Sequence, residues 1–411
     1  MATKYDVFEV IYTQRMPVRP IEVLKKLNKN DNEYNNVHRL LAELEKSSFA
    51  IKTNYGFQAK RTDKTALLHN IIQYCLRNSI NYNLLLDKSL AEFISASIQK
   101  EITSKDAKIN PRTLKKYIQI LNKYGLLLVI SQKPLRVRIL YNKLLNEILV
   151  YFNLKHTAKE VAANYMPLIG KELALHRKLR KKNEAGFQRI VDELEVSFVY
   201  HSLALEGNPV TLPDTIKILK DKIIPSNLRS EDVDEIKNYQ TAILQMLKDS
   251  SQRKPLTLET ILYYHKLAMS HRPDIAGKIR KVEVRIKGNP DFKIEKAENI
   301  KPKLEQMLEK YNMLIKQKNS LEEILSFSAF FHNEFQHIHP FVDGNSRTTR
   351  LITFHLLQAN GIPILDVPFG LMDEYMKYTK GSRQRNDQNL SNSLQKIILF
   401  NLKKINETLR Y

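Results

Sequence analysis

The 411-residue sequence contains a single cysteine, Cys75, so an intramolecular disulfide bond is excluded. It contains no run of about 18 apolar residues, the length that a transmembrane helix requires. Its first residues, MATKYDVFEV, lack the basic and then apolar pattern of a signal peptide. Solenoid-type repeats and low-complexity tracts are also missing. We therefore expect a cytoplasmic protein that does not act in a membrane.

Charge is abundant and unevenly distributed. The chain carries 66 Lys and Arg residues against 44 Asp and Glu residues, a net charge of +22. Residues 1–200 contain 34 basic and 19 acidic residues, and residues 201–411 contain 32 and 25. The length suffices for two or three domains. The basic excess lies mainly in the first half, where it suggests a separate anionic partner.

A segment near the C-terminus, His339 to Arg350, reads HPFVDGNSRTTR. Apolar residues at helical spacing precede it between Leu321 and Gln336, and others follow it up to Gly361. Residues 344–346 therefore lie where a loop enters a helix. Backbone N–H groups at such a helix start favour a phosphate group.

The side chains of this segment suit the same chemistry. Imidazole, with an ordinary pKa of about 6.5, lets His339 accept a hydroxyl proton at physiological pH. Asp343 offers the oxygen ligand that Mg²⁺ prefers when it bridges phosphates. Arg347 and Arg350 are spaced three apart, on one helix face, and guanidinium groups match phosphate oxygens. Together these residues favour nucleotidyl transfer.

The twelve residues resemble the signature of the Fic family, HPFx[D/E]GN[G/K]RxxR, at every fixed position except Ser346, where glycine or lysine is usual. The resemblance implies a protein adenylyltransferase that moves AMP from ATP to a Ser, Thr or Tyr hydroxyl with Mg²⁺ as cofactor. It also implies a role for each matching residue: His339 as the base, Asp343 as the metal ligand, Phe341 as a buried anchor, Asn345 with the N–H groups of Gly344 and Ser346 at the α-phosphate, Arg347 at the β-phosphate and Arg350 at the γ-phosphate.

A second string, Ser202 to Gly207, fits the family's inhibitory motif [S/T]xxxE[G/N]. The resemblance implies that Glu206 pairs with Arg350, where it occupies the place of the γ-phosphate and repels the nucleotide. The inhibitory residues are then Ser202, Glu206 and Gly207. A plain helix end before Gly207 is the alternative.

Alternating apolar and charged residues from Lys281 to Lys287, followed by Gly288-Asn289-Pro290, predict a short strand and a turn. In Fic proteins a β-hairpin flap at this location holds the target segment in extended form, a strand addition that relies on main-chain hydrogen bonds. The resemblance therefore implies that Val282, Val284 and Ile286 form a docking flap, within about residues 279–294. A solvent-facing hairpin without a partner is the alternative.

The first 150 residues twice show three helix-like segments followed by two strand-like segments, which resembles tandem winged-helix units. In the second unit Asn110 and Pro111 predict the start of a third helix. That order favours weak binding of duplex DNA by a basic helix and wing, with a protein-interaction or dimerisation module as the alternative. The candidate contacts to DNA are Arg112, Lys115, Lys116, Lys123, Lys133, Arg136 and Arg138.

We thus predict a mainly α protein: a helical Fic core with a β-hairpin flap, preceded by tandem winged-helix-like α+β units. The predicted boundaries are 1–62 and 63–150 for the winged-helix-like units, 151–187 for a basic helical linker, and 188–411 for the Fic domain, with its inhibitory helix at about 188–207 and its catalytic motif at 339–350.

Two other functions stay open. The first is a DNA-binding regulator whose Fic domain senses nucleotide or modifies only itself. The second is a Fic-fold enzyme with another donor, either a Doc-type kinase, against which Arg350 argues, or a transferase using UTP, GTP or a phosphocholine donor. A zinc site built from His332, His337 and His339 fits metal-ligand spacing poorly, since Pro340 breaks the helix and no cysteine cluster is present. The partners are a target protein, the chain itself or duplex DNA, and a homodimer is left open.

Overall fold

The structure is a computed structural model, and it describes residues 1–98, 100–103, 109–154, 164–286, 289, 291–363, 366–379 and 385–410. Helices dominate these residues, and their strands form one two-stranded and one three-stranded sheet. The predicted mainly α class with small sheets is confirmed. In the described part of the chain, no helix is both long and apolar enough to cross a membrane. The chain divides into two compact units, Met1–Ile98 with Lys143–Ala158 and Gln99–Asn142 with Lys159–Tyr411.

The first unit packs helices around an antiparallel hairpin in which Thr53 pairs with Gly56. Gly56 has a φ of +137°, and a Cβ there would lie 2.5 Å from the carbonyl oxygen of Val18, so the tight turn requires glycine. The elements of this unit are α1 (Lys4–Thr13), α2 (Pro20–Lys26), α3 (Tyr34–Lys46), β1 (Ala50–Thr53), β2 (Gly56–Ala59), α4 (Asp63–Arg77), α5 (Tyr82–Leu85), α6 (Lys88–Ser97) and, after an excursion of the chain into the second unit, α8 (Lys143–Tyr151).

The second unit begins with a small antiparallel sheet in the strand order β3 (Ile102–Thr103), β5 (Leu135–Ile139), β4 (Leu127–Gln132). Its first helix starts at Pro111, as predicted, because the Asn110 side chain accepts a hydrogen bond of 2.8 Å from the Arg112 N–H. The elements of this part are β3 (Ile102–Thr103), α7 (Pro111–Lys123), β4 (Leu127–Gln132) and β5 (Leu135–Ile139).

The compact units do not follow the predicted boundary at residue 150. Helix α8 packs against α4 and α6 in the first unit, whereas β4 packs against the last helix of the second unit. The Gly125 carbonyl also accepts a hydrogen bond of 3.0 Å from the Gly370 N–H. The division therefore falls after Ile98, inside the predicted 63–150 unit. It does so because helices and strands that are distant in sequence pack their apolar faces together.

A helical bundle forms the rest of the second unit. Its centre is α16 (Asn345–Ala359), in which almost every residue is buried, so this helix is surrounded on all sides. The bundle thereby holds the N-terminus of α16, where the candidate motif lies. Its elements are α9 (Met166–Lys182), α10 (Glu184–Ala204), α11 (Leu212–Ile216), a π-helical turn (Lys217–Asp221), α12 (Ser230–Ser251), α13 (Leu258–Ala268), α14 (Ile300–Lys316), α15 (Leu321–Ile338), α16 (Asn345–Ala359), α17 (Met372–Tyr378) and α18 (Asp387–Thr408).

The linker's basic run, residues 177–182, lies at the end of α9, and residues 155–163 of that linker are outside the described part. The predicted flap strand is wrong for residues 281–286, which form no strand. Gly288 and Pro290 of the predicted turn lie outside the described residues.

Arg280 gives the physical reason why residues 281–286 form no strand. Its guanidinium donates hydrogen bonds to the carbonyl oxygens of Val282 (2.9 Å), within the flap, and of Glu295, directly after it. The Glu295 N–H donates to the carbonyl of His337, at the end of α15. These main-chain groups are therefore used by a side chain and by a helix end instead of by a ladder between the two arms.

Candidate functional site

His339 ends α15 in a left-handed conformation, with a φ of +48°. Its backbone N–H still donates to the carbonyl of Phe335 at 2.9 Å, so the backbone turns out of the helix at this residue. The ring Nδ1 lies 3.2 Å from the carbonyl oxygen of Gln336. A carbonyl only accepts, so Nδ1 carries the hydrogen and Nε2 carries the lone pair that a general base needs.

Phe341 is completely buried, as predicted for an anchor of the loop. Its ring stacks on the imidazole of His265 from α13, with centroids 3.6 Å apart and planes 6° apart. The Gly277 N–H donates to Nδ1 of His265 (2.9 Å), and Nε2 lies 2.9 Å from the Asp343 carbonyl, so Nε2 carries the hydrogen. Burial lowers the pKa of His265 to about 4. This neutral imidazole holds the loop from two sides.

Gly344 is the residue before α16 and has a φ of +77°. A Cβ there would lie 2.9 Å from the Met269 side chain and 3.0 Å from the His265 ring, so glycine is required for conformation and for space. The Asn345 amide donates to the Phe341 carbonyl (2.8 Å) and accepts from the Phe341 N–H (2.9 Å). In this conformation Asn345 therefore shapes the loop.

The start of α16 offers N–H donors to an anion. Ser346 and Arg347 belong to the first turn of the helix, whose N–H groups have no intrahelical acceptor. The Gly344 N–H, by contrast, donates to the Asp343 carboxylate at 2.6 Å. An incoming phosphate would therefore meet the helix start directly and would compete with Asp343 for the Gly344 N–H.

Arg347 is buried between two carboxylates. Its Nη2 donates to Asp343 at 3.1 Å, and its Nη1 donates to Glu235 of α12. Only 5% of the Arg347 side chain is exposed, whereas 53% of the Asp343 side chain is exposed. The guanidinium is thus held from the interior by Glu235 and faces the open side of the loop at Asp343.

Arg350 is the most enclosed cation of the site, with 1% of its side chain exposed. Its Nε donates to the Ser202 hydroxyl (3.1 Å), and its Nη2 donates to the Ser202 carbonyl (2.8 Å). Both Nη1 and Nη2 lie 3.0 Å from one carboxylate oxygen of Glu206. The predicted pairing of Arg350 with Glu206 is therefore present, although the two residues are 144 positions apart.

Burial acts against the charged form of Arg350, but the Glu206 carboxylate outweighs it, and the pKa of Arg350 is raised above its usual range. The guanidinium is fully charged and its donors are taken. Around the two arginines, the three carboxylates of Glu206, Glu235 and Asp343 outnumber the two positive charges. A nucleotide would have to displace one of these carboxylates.

The residues present suit Mg²⁺ in one respect. Mg²⁺ is usually held by one or two protein carboxylates together with substrate phosphates and waters. Asp343 provides one largely exposed carboxylate next to the helix start that suits phosphate. The described residues contain no group of three or more His, Cys, Asp or Glu side chains placed to hold a metal ion.

The histidines of the alternative zinc site have different surroundings. His332 is buried, with Nδ1 3.2 Å from the Thr353 hydroxyl and Nε2 3.1 Å from the Tyr375 hydroxyl. His337 stacks on Phe292 at 4.3 Å and its Nδ1 lies 2.8 Å from the Lys293 carbonyl. These contacts give both histidines a packing role in α15.

The predicted docking residues of the flap differ in exposure. Val282 is 58% exposed, while Val284 and Ile286 are half-buried. Arg280 fixes the base of the flap to the candidate motif, because its Nε donates to the His339 carbonyl at 2.7 Å. The flap therefore begins beside the candidate base.

The candidate DNA contacts fall into two groups. Arg136 pairs with Glu101, and Arg138 donates to the Tyr165 hydroxyl at 2.9 Å, so both are already engaged within the second unit. The other side chains are exposed, four of them on α7 and one in the turn after β4: Arg112, Lys115, Lys116, Lys123 and Lys133.

Glu235, His265 and Arg280 were missed by sequence reasoning. His265 is 78 positions and Glu235 is 112 positions away from its partner in the motif. Each lies in an ordinary helical or loop sequence, and no local spacing marks it. Only the packing of α12 and α13 against α16 brings the two helix residues to the loop.

The part of the chain that carries this geometry is similar to known proteins. Residues 255–357 match the Fic/DOC family model. The protein adenylyltransferase Fic of Drosophila grimshawi is 29% identical over 202 residues, 49% of this chain and 39% of that relative. This chain therefore spans about two fifths of the length of that curated relative.

Solved structures are similar in fold. A Fic domain containing signaling protein from Bacteroides thetaiotaomicron superposes with a TM-score of 0.52 at 17% identity, over 60% of this chain and 97% of that chain. Fic-1 from C. elegans superposes with a TM-score of 0.50 at 15% identity, over 92% and 94% of the two chains. These similarities support the helical fold of the site.

Proposed function

We propose that this chain, in which residues 255–357 form a Fic domain, is a protein adenylyltransferase that Glu206 holds in an autoinhibited state. The observation that carries the proposal is the hydrogen bonding of Arg350. Its donors are used by Ser202 and Glu206, at a helix start that otherwise suits a phosphate chain. The Arg350 guanidinium can bind the triphosphate of a nucleotide only when Glu206 moves away from it.

The reaction needs one proton transfer and one displacement. Nε2 of His339 takes the proton from a Ser, Thr or Tyr hydroxyl of the target, and that oxygen forms a bond to the α-phosphorus of ATP. The bond from the α-phosphorus to the oxygen that bridges it to the β-phosphate breaks, and pyrophosphate leaves. The first-turn N–H groups of α16 and the guanidinium of Arg347 stabilise the negative charge on the phosphates.

Asp343 would hold Mg²⁺ together with the phosphates of the nucleotide. When bound, the ion neutralises phosphate charge and acts as a Lewis acid. The other contribution of Asp343 is visible in this chain alone, since its carboxylate orients Arg347 and the Gly344 N–H.

The target segment is proposed to lie along the flap at Val282, Val284 and Ile286. Support comes from the position of the flap, which Arg280 anchors to the His339 carbonyl. An extended segment there would bring a hydroxyl towards the candidate base. The chain itself is a further acceptor, and its own modification can serve as a readout.

Glu206→Gly tests the proposal. Removing a charged hydrogen-bond partner worth roughly 1.5–3 kcal/mol should raise AMP transfer on the order of tenfold or more. Arg350→Ala should not activate, because it removes the inhibitor's partner and the phosphate clamp together. The measurement is intact mass spectrometry of each chain after incubation with ATP and Mg²⁺. A gain of one phosphate would favour the Doc-type reaction, and a Glu206→Gly chain that gains nothing would overturn the proposal.

Duplex DNA is a second candidate partner. The observation in its favour is the row of exposed basic side chains on α7, Arg112, Lys115, Lys116 and Lys123. Their charge suits phosphate groups in a sequence-independent way. The salt dependence of duplex binding by the full chain tests this candidate.

A further inference from the structure

A second arginine–carboxylate pair lies beside the inhibitory one. Glu235 of α12 accepts a hydrogen bond from Arg347 through its Oε1. Its other oxygen, Oε2, accepts from the side-chain amide of Asn208 at 2.7 Å. Glu235 therefore connects the phosphate-binding arginine to the turn that carries Glu206.

Asn208 is fixed on several sides. Its Nδ2 also lies 3.2 Å from the Asp232 carbonyl of α12, and its Oδ1 accepts from the Val210 N–H at 3.0 Å. Its own N–H donates to the Leu203 carbonyl at 3.1 Å. The turn after α10 is thus tied to α12 at the position two residues after Glu206.

Only Gly207 separates Glu206 from this anchor. Gly207 has a φ of +93°, and no atom lies within 4 Å of the place of a Cβ. Glu206 must withdraw from Arg350 to admit a phosphate, and Asn208 limits how far this short segment can move. Release of Asn208 from Glu235 therefore lowers the cost of opening the site.

We propose that Asn208 and Glu235 form a latch that holds the inhibitory turn closed, and that Glu235 is also a positioning residue for Arg347. The proposal rests on the proposed function, because it concerns the same nucleotide site. Loss of Asn208 and loss of Glu235 have different expected consequences. Loss of Asn208 frees the turn and leaves Arg347 paired, whereas loss of Glu235 frees the turn and leaves Arg347 without its interior carboxylate.

The test measures the Kd for ATP with Mg²⁺ by calorimetry, and AMP incorporation by mass spectrometry, in the full chain. Asn208→Ala should tighten ATP binding on the order of tenfold, since it removes a hydrogen bond to a charged group. In the Glu206→Gly background the same change should alter the Kd by less than about twofold, because nothing remains to be latched. Asn227→Ala, at an exposed residue of the loop before α12, is the matched control and should change neither quantity.

Two further variants complete the design. Asn208→Asp keeps the size of the side chain and its acceptor for the Val210 N–H, but places a carboxylate against Glu235, so it should open the turn as Asn208→Ala does. Glu235→Ala in the Glu206→Gly background should weaken ATP binding, because Arg347 loses its orientation, and Asn208→Ala in that background should not.

The outcomes separate two failures. A Glu206→Gly chain that gains no AMP contradicts the proposed function. If that chain is active, the latch is overturned by an Asn208→Ala chain equal to the wild type. It is also overturned by an equal tightening with and without Glu206, which would place the effect of Asn208 in the site itself.

Discussion

In the proposed reaction, His339 must exchange a proton, whereas Arg350, eleven residues later, must keep its charge. The Gln336 carbonyl sets the tautomer of His339 so that Nε2 can accept a proton. Arg350 is surrounded by a carboxylate, a carbonyl and a hydroxyl that secure its positive charge. These surroundings suit the different roles that we propose for the two residues.

His339→Ala should abolish AMP transfer and leave ATP binding nearly unchanged, because the base acts on the hydroxyl and not on the nucleotide. Loss of a general base lowers the rate by about 10²–10⁴-fold. The measurement is transfer of labelled AMP by the Glu206→Gly chain with and without the change, beside calorimetric ATP binding. His38→Ala, at an exposed histidine of α3, is the control. Transfer by the His339→Ala chain at the parental rate would show that another group is the base.

At the scale of elements, the helices around the motif begin and end at local signals. Ser320 and Glu323 form a reciprocal capping box at the start of α15, and Asn110 caps α7. The flap shows the opposite case, because its alternating sequence is overridden by the hydrogen bonds of Arg280. A local sequence pattern therefore determines a helix or strand only where its backbone N–H and C=O groups have no stronger hydrogen-bond partner.

Gly344→Ala should destabilise the loop and abolish transfer. The backbone conformation alone costs of order 1–3 kcal/mol for a residue with a Cβ. A Cβ would in addition press on Met269 and His265. Gly361 has the same φ of +77°, and its nearest neighbour lies 4.0 Å from the Cβ position, so Gly361→Ala is the matched control.

The free energy of unfolding, measured in urea, should fall more for Gly344→Ala than for Gly361→Ala, and only the former should lose AMP transfer. Equal losses of stability in the two variants would mean that the loop accommodates a Cβ beside Met269 and His265 without cost.

At the scale of the whole molecule, buried histidines connect stability to pH. Burial lowers the pKa of His265 and His355 to about 4 and that of His332 to about 3. In the unfolded chain these groups titrate near their ordinary value of about 6.5. Between these values the unfolded chain binds protons that the folded chain does not, so the free energy of unfolding falls as the pH falls.

The expected slope is about 1.4 kcal/mol per pH unit for each such histidine, in the window from about 6.5 down to about 4. Urea unfolding of the chain at several pH values in this window measures the slope. His355→Gln, at a residue away from the phosphate loop, should reduce the slope by the contribution of one histidine. An unchanged slope in that variant would show that His355 takes up its proton in the folded chain.

The basic excess of residues 1–200 leads to the DNA prediction. The full chain should bind duplex DNA weakly at low salt, with an affinity that falls steeply as salt rises. Replacement of Lys115 and Lys116 by glutamine should reduce the salt slope by about 0.9 for each phosphate that the protein no longer neutralises. Lys237 and Lys248, exposed on α12, are the matched control. Fluorescence anisotropy with a labelled duplex is the measurement, and no binding at low salt would favour the protein-interaction module.

The amino-acid sequence alone determined the features that depend on near neighbours. Helical periodicity and caps predicted the mainly α class and the helix that begins at Pro111. The contiguous segment from His339 to Arg350 predicted the phosphate chemistry, and the resemblance it carries led to Glu206. Such signals lie within a few residues of one another, so they survive without knowledge of the fold.

The tertiary structure decided the features that join distant parts of the chain. Glu235 and His265 reach the motif across 112 and 78 positions, and only the packing of α12 and α13 against α16 brings them there. The boundary after Ile98 likewise follows from which apolar faces pair. The surrounding atoms decide whether burial of a charge or an aromatic ring stabilises or destabilises the fold. Those atoms come from the whole fold.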